Sequence, residues 1–487
     1  MATTQEYIEQ LKIDKQTLVD NLVEQGVEAT SEETFTTLVP KVKDIKVGQT
    51  EEKDVSFYDY DGTRLYSYTI EEIQNMEKLP ELPTHDGLIC QEWNWTLEEL
   101  KEHNKKMHVG ATYITDDGAT RVYISLTDEE RLEPTIGFTL NGTIEIDWGD
   151  NSEFDVVTGN SISMINTIYR QHTYNEIGDY VIRLIPQTEE TELKFSGHND
   201  YGSYLLCVQN SLNRNYQTCI KKVEFGAGVK ELGMAFKFCY LLETVTIPKD
   251  VYIQSEAFHY CYELKAVVMP KSTLESLLNL QFGECRNLKV LSLPPTIVQI
   301  SNANPLKYTF HLRKVFFKEL LLNINEAFSY SGIEKIELED GMTSLPRSSF
   351  SYCYFLKKVK LPNTLTLIPQ SCFNYCYNLI TVNIPNGVQS IESYAFNNCY
   401  SLKKIDIPAS VTSIGASAFS ACYSLEYISF ANHTSVPTLA STNAFTSSAT
   451  HKIIVPDELY DEWITTTNWS NTNIVSKIVK ASEYPIE

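Results

Sequence analysis

The sequence predicts a mainly β, multidomain chain: a short N-terminal helical segment, a β-sandwich, and a C-terminal half wound as a solenoid. Three observations predict it. A phrase built on one aromatic, one cysteine and one proline returns at a short, steady period through the second half. Alternating apolar and polar residues between Gly, Asn and Asp turns fill the middle. Apolar residues at helical spacing mark the first 47 residues.

The phrase reads Ala257-Phe258-His259-Tyr260-Cys261-Tyr262-Glu263-Leu264, then Val267 and Met269-Pro270. It returns as Ala395-Phe396-Asn397-Asn398-Cys399-Tyr400-Ser401-Leu402, then Ile405 and Ile407-Pro408. Its anchoring aromatic is Phe236, Phe258, Phe282, Phe328, Phe350, Phe373, Phe396, Phe419 and Phe445, at steps of 22, 24, 46, 22, 23, 23, 23 and 26 residues. The long step reads as two periods, with a degenerate repeat around Phe310 to Phe317. The period falls in the leucine-rich-repeat range. One such unit cannot bury its own apolar side, so neighbouring units must bury it by stacking. Leu356, Val359 and Leu361 alternate as a short inward-facing strand. The prolines that follow (Pro248, Pro270, Pro294, Pro362, Pro385, Pro408) lack an N–H and end it. Corners carry turn residues, as at Asn386-Gly387.

Cys239, Cys261, Cys285, Cys353, Cys376, Cys399 and Cys422 hold one register. Metal binding or disulfides are the functional readings; a buried ladder of small thiols is the structural one, and is preferred. Stacked coils place successive Cα atoms about 4.8 Å apart, but parallel side chains leave a bridge strained. The total of eleven cysteines is odd, and Cys372 and Cys376 have no His at zinc-ligand spacing.

This phrase resembles the BspA-type leucine-rich repeat of bacterial surface proteins, whose units also run aromatic, Cys, then Leu-x-x-Ile-x-Ile-Pro. The resemblance covers roughly Lys221 to the C-terminus. It departs at the Tyr after Cys, where that family more often has a small polar residue.

The net charge of −23 disfavours a nucleic-acid partner, whose phosphates it would repel. Met1-Ala2-Thr3-Thr4-Gln5-Glu6 has no basic start followed by an apolar core, so no secretory signal is expected. No stretch approaches eighteen apolar residues, so no membrane span is expected. Export would then go with a lysing virus particle or by a signal peptide already removed.

In order along the chain, residues 1–47 read as two short helices. Tyr7, Ile8, Leu11, Leu18 and Leu22 mark the first. Thr30-Ser31-Glu32-Glu33 caps the second, followed by Phe35, Leu38, Val42 and Ile45. So small a pair is expected to pack on a copy of itself or on a larger assembly. Residues 48–109 read as an aromatic-rich α+β spacer. Val55 to Tyr68 forms two strand segments around an Asp61-Gly62 turn, and Thr96 is the N-cap of a helix. Scattered His85, His103 and His108 are expected on the surface. Residues 110–187 read as the sandwich. Residues 188–220 are a transition expected to cap the solenoid, which spans 221–450. Residues 451–487 close it, with Trp463, Trp469 and Ile474 covering the last coil.

Two further resemblances rest on quoted residues. The helical start, with Phe57-Tyr58-Asp59-Tyr60-Asp61-Gly62 and Trp93-Asn94-Trp95-Thr96-Leu97, resembles phage tail and fibre proteins. Asp147-Trp148-Gly149-Asp150-Asn151-Ser152, with His172-Thr173-Tyr174 and Gly178-Asp179-Tyr180, resembles the polycystic-kidney-disease-type domain, an immunoglobulin-like sandwich. That implies a core Trp148 and a turn at Gly149-Asp150. Asp147, Asp150 and His172 as a metal or acid/base set is the lesser reading; turn capping is the simpler one.

No phosphate loop, nucleophile elbow or metal helix is present in the sequence, so neither an enzyme nor a cofactor is expected. A binding surface is the better hypothesis. Tyr240, Tyr262, Tyr354, Tyr377, Tyr400 and Tyr423 each follow a ladder Cys and should face outward as a stripe, flanked by Phe238, Tyr260, Tyr352 and Tyr375. Such a stripe suits sugar rings or protein partners, or else stacks on itself and stiffens the coil. Lys265, Lys289, Lys335, Lys357, Lys358, Lys360, Lys403 and Lys404 read as a cationic strip, most simply a solvated face. The first functional reading is a phage virion component, tail- or fibre-associated. It attaches to other virion proteins through residues 1–47 and holds a host-surface protein or glycan through the solenoid. The alternative is a BspA-type adhesin, cell-surface or secreted.

Overall fold

The computed structural model describes residues 53–129, 132–163, 166–195, 206–207, 219–272, 274–300, 304–317, 321–322, 326–338, 340, 342–446 and 452–484. The helices expected in residues 1–47 lie outside them.

The aromatic spacer is a four-stranded sheet of β1 (Val55–Tyr58), β2 (Arg64–Tyr68), β3 (Leu88–Trp93) and β4 (Met107–Thr115), in the order β2-β1-β4-β3. The Asp-Gly turn closes the β1–β2 hairpin, with Gly62 at φ +90° and Asp59 N donating to Thr63 O at 2.9 Å. Helices α1 (Ile70–Gln74) and α2 (Leu97–His103) open on capping boxes, Thr69 with Glu72 and Thr96 with Glu99. Phe57, Trp93, Trp95, Leu100, Met107 and Tyr113 fill the core. Strand β4 crosses the boundary expected at residue 110.

Next come β5 (Thr120–Leu126), β6 (Thr135–Asp147), β7 (Asp155–Ser161), β8 (Ile168–Gln171), β9 (Gly178–Pro186), β10 (Glu192–Phe195) and β11 (Leu206–Cys207). Strand β6 changes partners along its length. Its first half pairs with β8, β10 and β11, and its second half with β7 and β9. Trp148 is buried behind it, held by Nε1 donating to Asp155 at 2.9 Å and by Tyr174 Oη donating to its carbonyl at 2.8 Å.

These strands are not a separate unit but part of one 11-stranded hydrogen-bonded sheet, and the expected immunoglobulin-like sandwich is not shown. Strand β5 pairs antiparallel with β12 (Ile220–Glu224), and β10 pairs parallel with β13 (Val229–Leu232). Those are the first strands of the solenoid's two ribbons, continued by Thr244–Thr246 and Tyr252–Ile253. One apolar core runs through both parts. The solenoid's open end is therefore covered by β5 and by β10, the latter lying inside the 188–220 transition expected to cap it. Both exposed strand edges gain hydrogen-bonded neighbours.

In the solenoid each anchor is buried, and consecutive phenylalanines stack, from 5.3 Å (Phe373–Phe396) to 5.9 Å (Phe419–Phe445). The degenerate repeat sits elsewhere than expected. Its anchor is the fully buried Leu306, with Thr309 in the cysteine's place, whereas Phe310 is only half-buried. Leucine fills the same slot as phenylalanine, so the stack continues without the aromatic that marks the period. At the far end Lys452–Val455 and Ile478–Lys480 extend the ribbon, and Trp463, Trp469 and Ile474 seal the last coil.

Candidate functional site

Each coil turns through a backbone conformation the sequence did not flag. The residue before the ladder position has positive φ in each coil where it is described, from Phe238 (70°) and Tyr260 (66°) through Tyr330 (60°), Tyr352 (60°) and Tyr375 (61°) to Ala421 (56°). This conformation usually selects Gly or Asn and costs other residues about 1–2 kcal/mol each. Here its N–H is aimed at the next coil: Tyr352 N donates to Asn374 O at 2.8 Å and Tyr375 N to Asn397 O at 2.9 Å. The strain is offset by coil-to-coil bonding.

The cysteines work the same way backward. Cys261 Sγ donates to Phe236 O at 3.1 Å, Cys376 to Phe350 O at 3.1 Å, and Cys422 to Phe396 O at 3.2 Å. The ladder is buried, as expected, and its thiols give the preceding anchors' carbonyls a second donor beside a backbone N–H, as at Phe350 O. Burial pushes the thiols of Cys353 and Cys422 up to about 12, so they stay protonated and unreactive. Cys376→Ala should cost about 1 kcal/mol, because Phe350 O loses the thiol but keeps the Cys353 N–H at 3.1 Å. Cys376→Ser keeps a donor and should cost clearly less; chemical denaturation of the two variants checks this.

The turn aims the six tyrosines outward, in two runs. Tyr240 stacks on Tyr262 at 4.7 Å, and Arg286 covers Tyr262 at 4.4 Å. Phe310 and Gly332 interrupt the register. It resumes with Tyr354–Tyr377 at 5.0 Å, Tyr377–Tyr400 at 4.4 Å and Tyr400–Tyr423 at 4.9 Å. The strained position builds a second column beside it: Tyr308–Tyr330 at 4.8 Å, Tyr330–Tyr352 at 4.4 Å and Tyr352–Tyr375 at 4.7 Å. Ring faces are thus occupied by other rings, leaving edges and hydroxyls to solvent. Only at the end of the column does a ring open outward: Tyr423 is tilted by 44° and 53% exposed.

The strand face is divided. Outward positions on the early coils are apolar or small (Ala266, Val268, Val290, Ser292) and buried. The 53–115 domain lies on them. Tyr58 packs on Ala266 and Val290, and a Cβ on Gly110 would come within 2.5 Å of Val268. Asn94 Nδ2 donates to Met269 O at 3.0 Å and Ser292 Oγ at 3.1 Å; Trp95 Nε1 donates to Leu293 O at 2.7 Å. Glu99 and Lys271 pair at 3.0 Å across the rim. On later coils the same positions are Lys335 and Glu337, Lys358 and Lys360, Thr381 and Asn383, and Lys404 and Asp406, all exposed. The expected lysine strip is mixed in charge: Lys265 meets Glu243 at 2.5 Å, Lys335 meets Glu337 at 2.6 Å and Lys357 meets Glu334 at 2.9 Å.

Of the three histidines expected on the surface, His85 is exposed, but His103 and His108 are buried. His108 is buried between Tyr58 and Phe316, and burial lowers it to about 3; His103 is buried against Trp95. His85 meets Asp59 at 2.7 Å, and Tyr113 donates to the same carboxylate at 2.6 Å. His172 stacks on Trp148 and meets Asp150 at 2.7 Å. Against the opposing effect of burial, hydrogen bonds from Ser152 and His172 hold Asp150 down at about 2. These pairs close turns. Among the described residues no group of three or more His, Cys, Asp or Glu is placed to hold a metal.

Residues 211–331 and 323–452 match the family described as BspA type Leucine rich repeat region, in six copies. No curated protein matches the chain. Among solved structures, a leucine rich cell surface protein from Faecalibacterium prausnitzii is 24% identical, with a TM-score of 0.29, over 43% of this chain and 70% of its own. A leucine-rich repeat protein from Bacteroides ovatus is 21% identical, with a TM-score of 0.33, over 54% and 84%. The pneumococcal vaccine antigen PcpA is 18% identical, with a TM-score of 0.29, over 53% and 85%. The stacked anchors, the thiol bonded back to the preceding coil and the paired strand ribbons are thus one repeat seen through: the C-terminal half of this chain is a BspA-type leucine-rich-repeat solenoid.

Proposed function

We propose that the chain is a non-enzymatic binding protein of a bacterial surface, an adhesin that holds a protein or glycan with the outer side of its solenoid. The family match favours this over the virion reading, which no finding supports. The residues that resembled phage tail proteins have a structural job here, since Phe57, Trp93 and Trp95 build the docked domain's core. No helix among the described residues is long and apolar enough to cross a membrane.

The observation that carries the proposal is the double tyrosine column. Stacking accounts for rings but not for hydroxyls, since phenylalanine stacks as well. A row of phenol edges held rigid by its own stack loses little conformational entropy on binding. Burial first, then the Tyr400 hydroxyl, raises Tyr377 to about 12, so these groups are neutral donors and acceptors at physiological pH. The triple variant Tyr354→Phe, Tyr377→Phe, Tyr400→Phe keeps the rings and removes the hydroxyls. Attachment of the purified chain to host cells should fall at least about tenfold with the melting temperature unchanged. Undiminished attachment would remove the column from the binding surface, and a wild-type chain that attaches to no cell type would end the adhesin reading.

A further inference from the structure

A second surface forms where the docked domain meets the solenoid. Between α2 and the coils at 314–317 and 335–337 lies a cleft of about 350 Å³. Its floor is apolar, from Ile70, Val315, Phe316 and Ile336. Its walls carry Lys53, Lys105 and Lys106 from the docked domain and Lys314 and Lys335 from the solenoid, against two carboxylates, Asp54 and Glu337. Lys53 is also paired with Glu72 at 2.7 Å, which leaves four cations to two anions, a local reversal in a chain of net charge −23.

We propose that this cleft binds one anionic sugar unit, carboxylated or sulfated, at the end of a glycan. The size decides against a peptide: the volume sits at the low end for small-molecule sites, which run from about 300 to 1,000 Å³. The half-buried Phe316, set edge-on against His108, gives an apolar patch for the hydrogen-bearing face of a sugar ring. The lysines act as point charges that suit either acid group. They are already drawn toward carboxylates, Lys106 to Asp54 at 3.2 Å and Lys335 to Glu337 at 2.6 Å, so an incoming anion would share these cations. Lys314 is the least stable charge: burial lowers its pKa, Glu334 opposes this, and Lys335 adds to it. An anion beside it would relieve both effects. Because the two walls belong to different parts of the chain, the site exists only while the domain is docked. The ligand class rests on the adhesin reading; the cleft does not.

The test measures binding of the full chain to 3′-sialyllactose, 3′-sulfated lactose and neutral lactose. At least one acidic sugar should bind about tenfold or more tighter than lactose and weaken with added salt. Whichever arm binds names the acid group. The variant Lys106→Ala with Lys335→Ala, both half-exposed, should keep its melting temperature and lose that preference. Lys358→Ala with Lys404→Ala, on the open strand face, should retain it. Equal binding of all three sugars, or a preference surviving in the first variant, overturns the proposal. If the first variant unfolds, Lys106→Gln alone must reduce the preference. Cell attachment separates the two readings. A chain that attaches to cells but ignores acidic sugars loses the cleft and keeps the adhesin; the converse result keeps the cleft.

Discussion

Phe373→Ala is expected to lower the stability of the solenoid by about 3–5 kcal/mol, the usual cost of emptying a large aromatic site in a close-packed core. Phe373 is fully buried and stacked on both sides, at 5.5 Å to Phe350 and 5.3 Å to Phe396. It also receives the Cys399 thiol on its carbonyl at 3.2 Å. Because each coil is held by its neighbours, the damage should spread to adjacent coils first. Hydrogen exchange should therefore rise most between residues 350 and 400, with the capped C-terminal end, sealed by Trp463 and Trp469, responding least. A uniform loss over the whole chain would mean that the rod unfolds as one block and that the neighbour description is wrong.

Trp95→Ala is expected to be as costly, about 3–5 kcal/mol, but its effect belongs to the docked domain. Trp95 is 1% exposed and gives its indole N–H to Leu293 O at 2.7 Å, a contact spanning 198 residues of sequence. Alanine there empties a core site and leaves a buried carbonyl without its donor. Trp95→Phe restores most of the packing but not the hydrogen bond, so it should recover all but about 1–3 kcal/mol. In calorimetry the alanine variant should split off an early transition for residues 53–115, while the distal coils melt as before. A single unsplit transition at the wild-type temperature would show that the indole does not hold the domain in place.

Much of the fold was legible because repetition turns packing into a pattern. The anchors, the cysteine register, the strand-ending prolines and the closing tryptophans all recur or sit where a stack must end. The capping box at Thr96 and the Asp61-Gly62 turn were legible for local reasons, since their partners lie a few residues away. The docked domain was not legible by periodicity, because Asn94 and Ser292 meet across the same 198-residue gap. A signal was present nonetheless. Outward strand positions run Ala266 and Val268, Val290 and Ser292, then Lys335 and Glu337, and a face that changes from apolar to charged partway along a repeat is covered partway along. The positive-φ turns were hidden because Tyr330 and Tyr352 occupy a conformation that sequence rules reserve for glycine and asparagine. Leu306 was hidden because the period was followed by its aromatic alone. The tyrosine stripe was legible as an outward column. That its faces are used up by stacking follows from the spacing of the coils, which is close to the thickness of two rings in contact.

The most direct test of this architecture is hydroxyl-radical footprinting of Tyr58 in the intact chain, with Tyr423 as the reference. Tyr58 is 7% exposed because it lies between its own sheet and Ala266 and Val290 of the solenoid, whereas Tyr423 is 53% exposed at the end of its column. Tyr58 should oxidise far more slowly than Tyr423 in the wild type, and approach its rate in Trp95→Ala. Equal rates in the wild type would contradict a solenoid whose first coils are covered by their own N-terminal domain and whose face between residues 335 and 406 is left open.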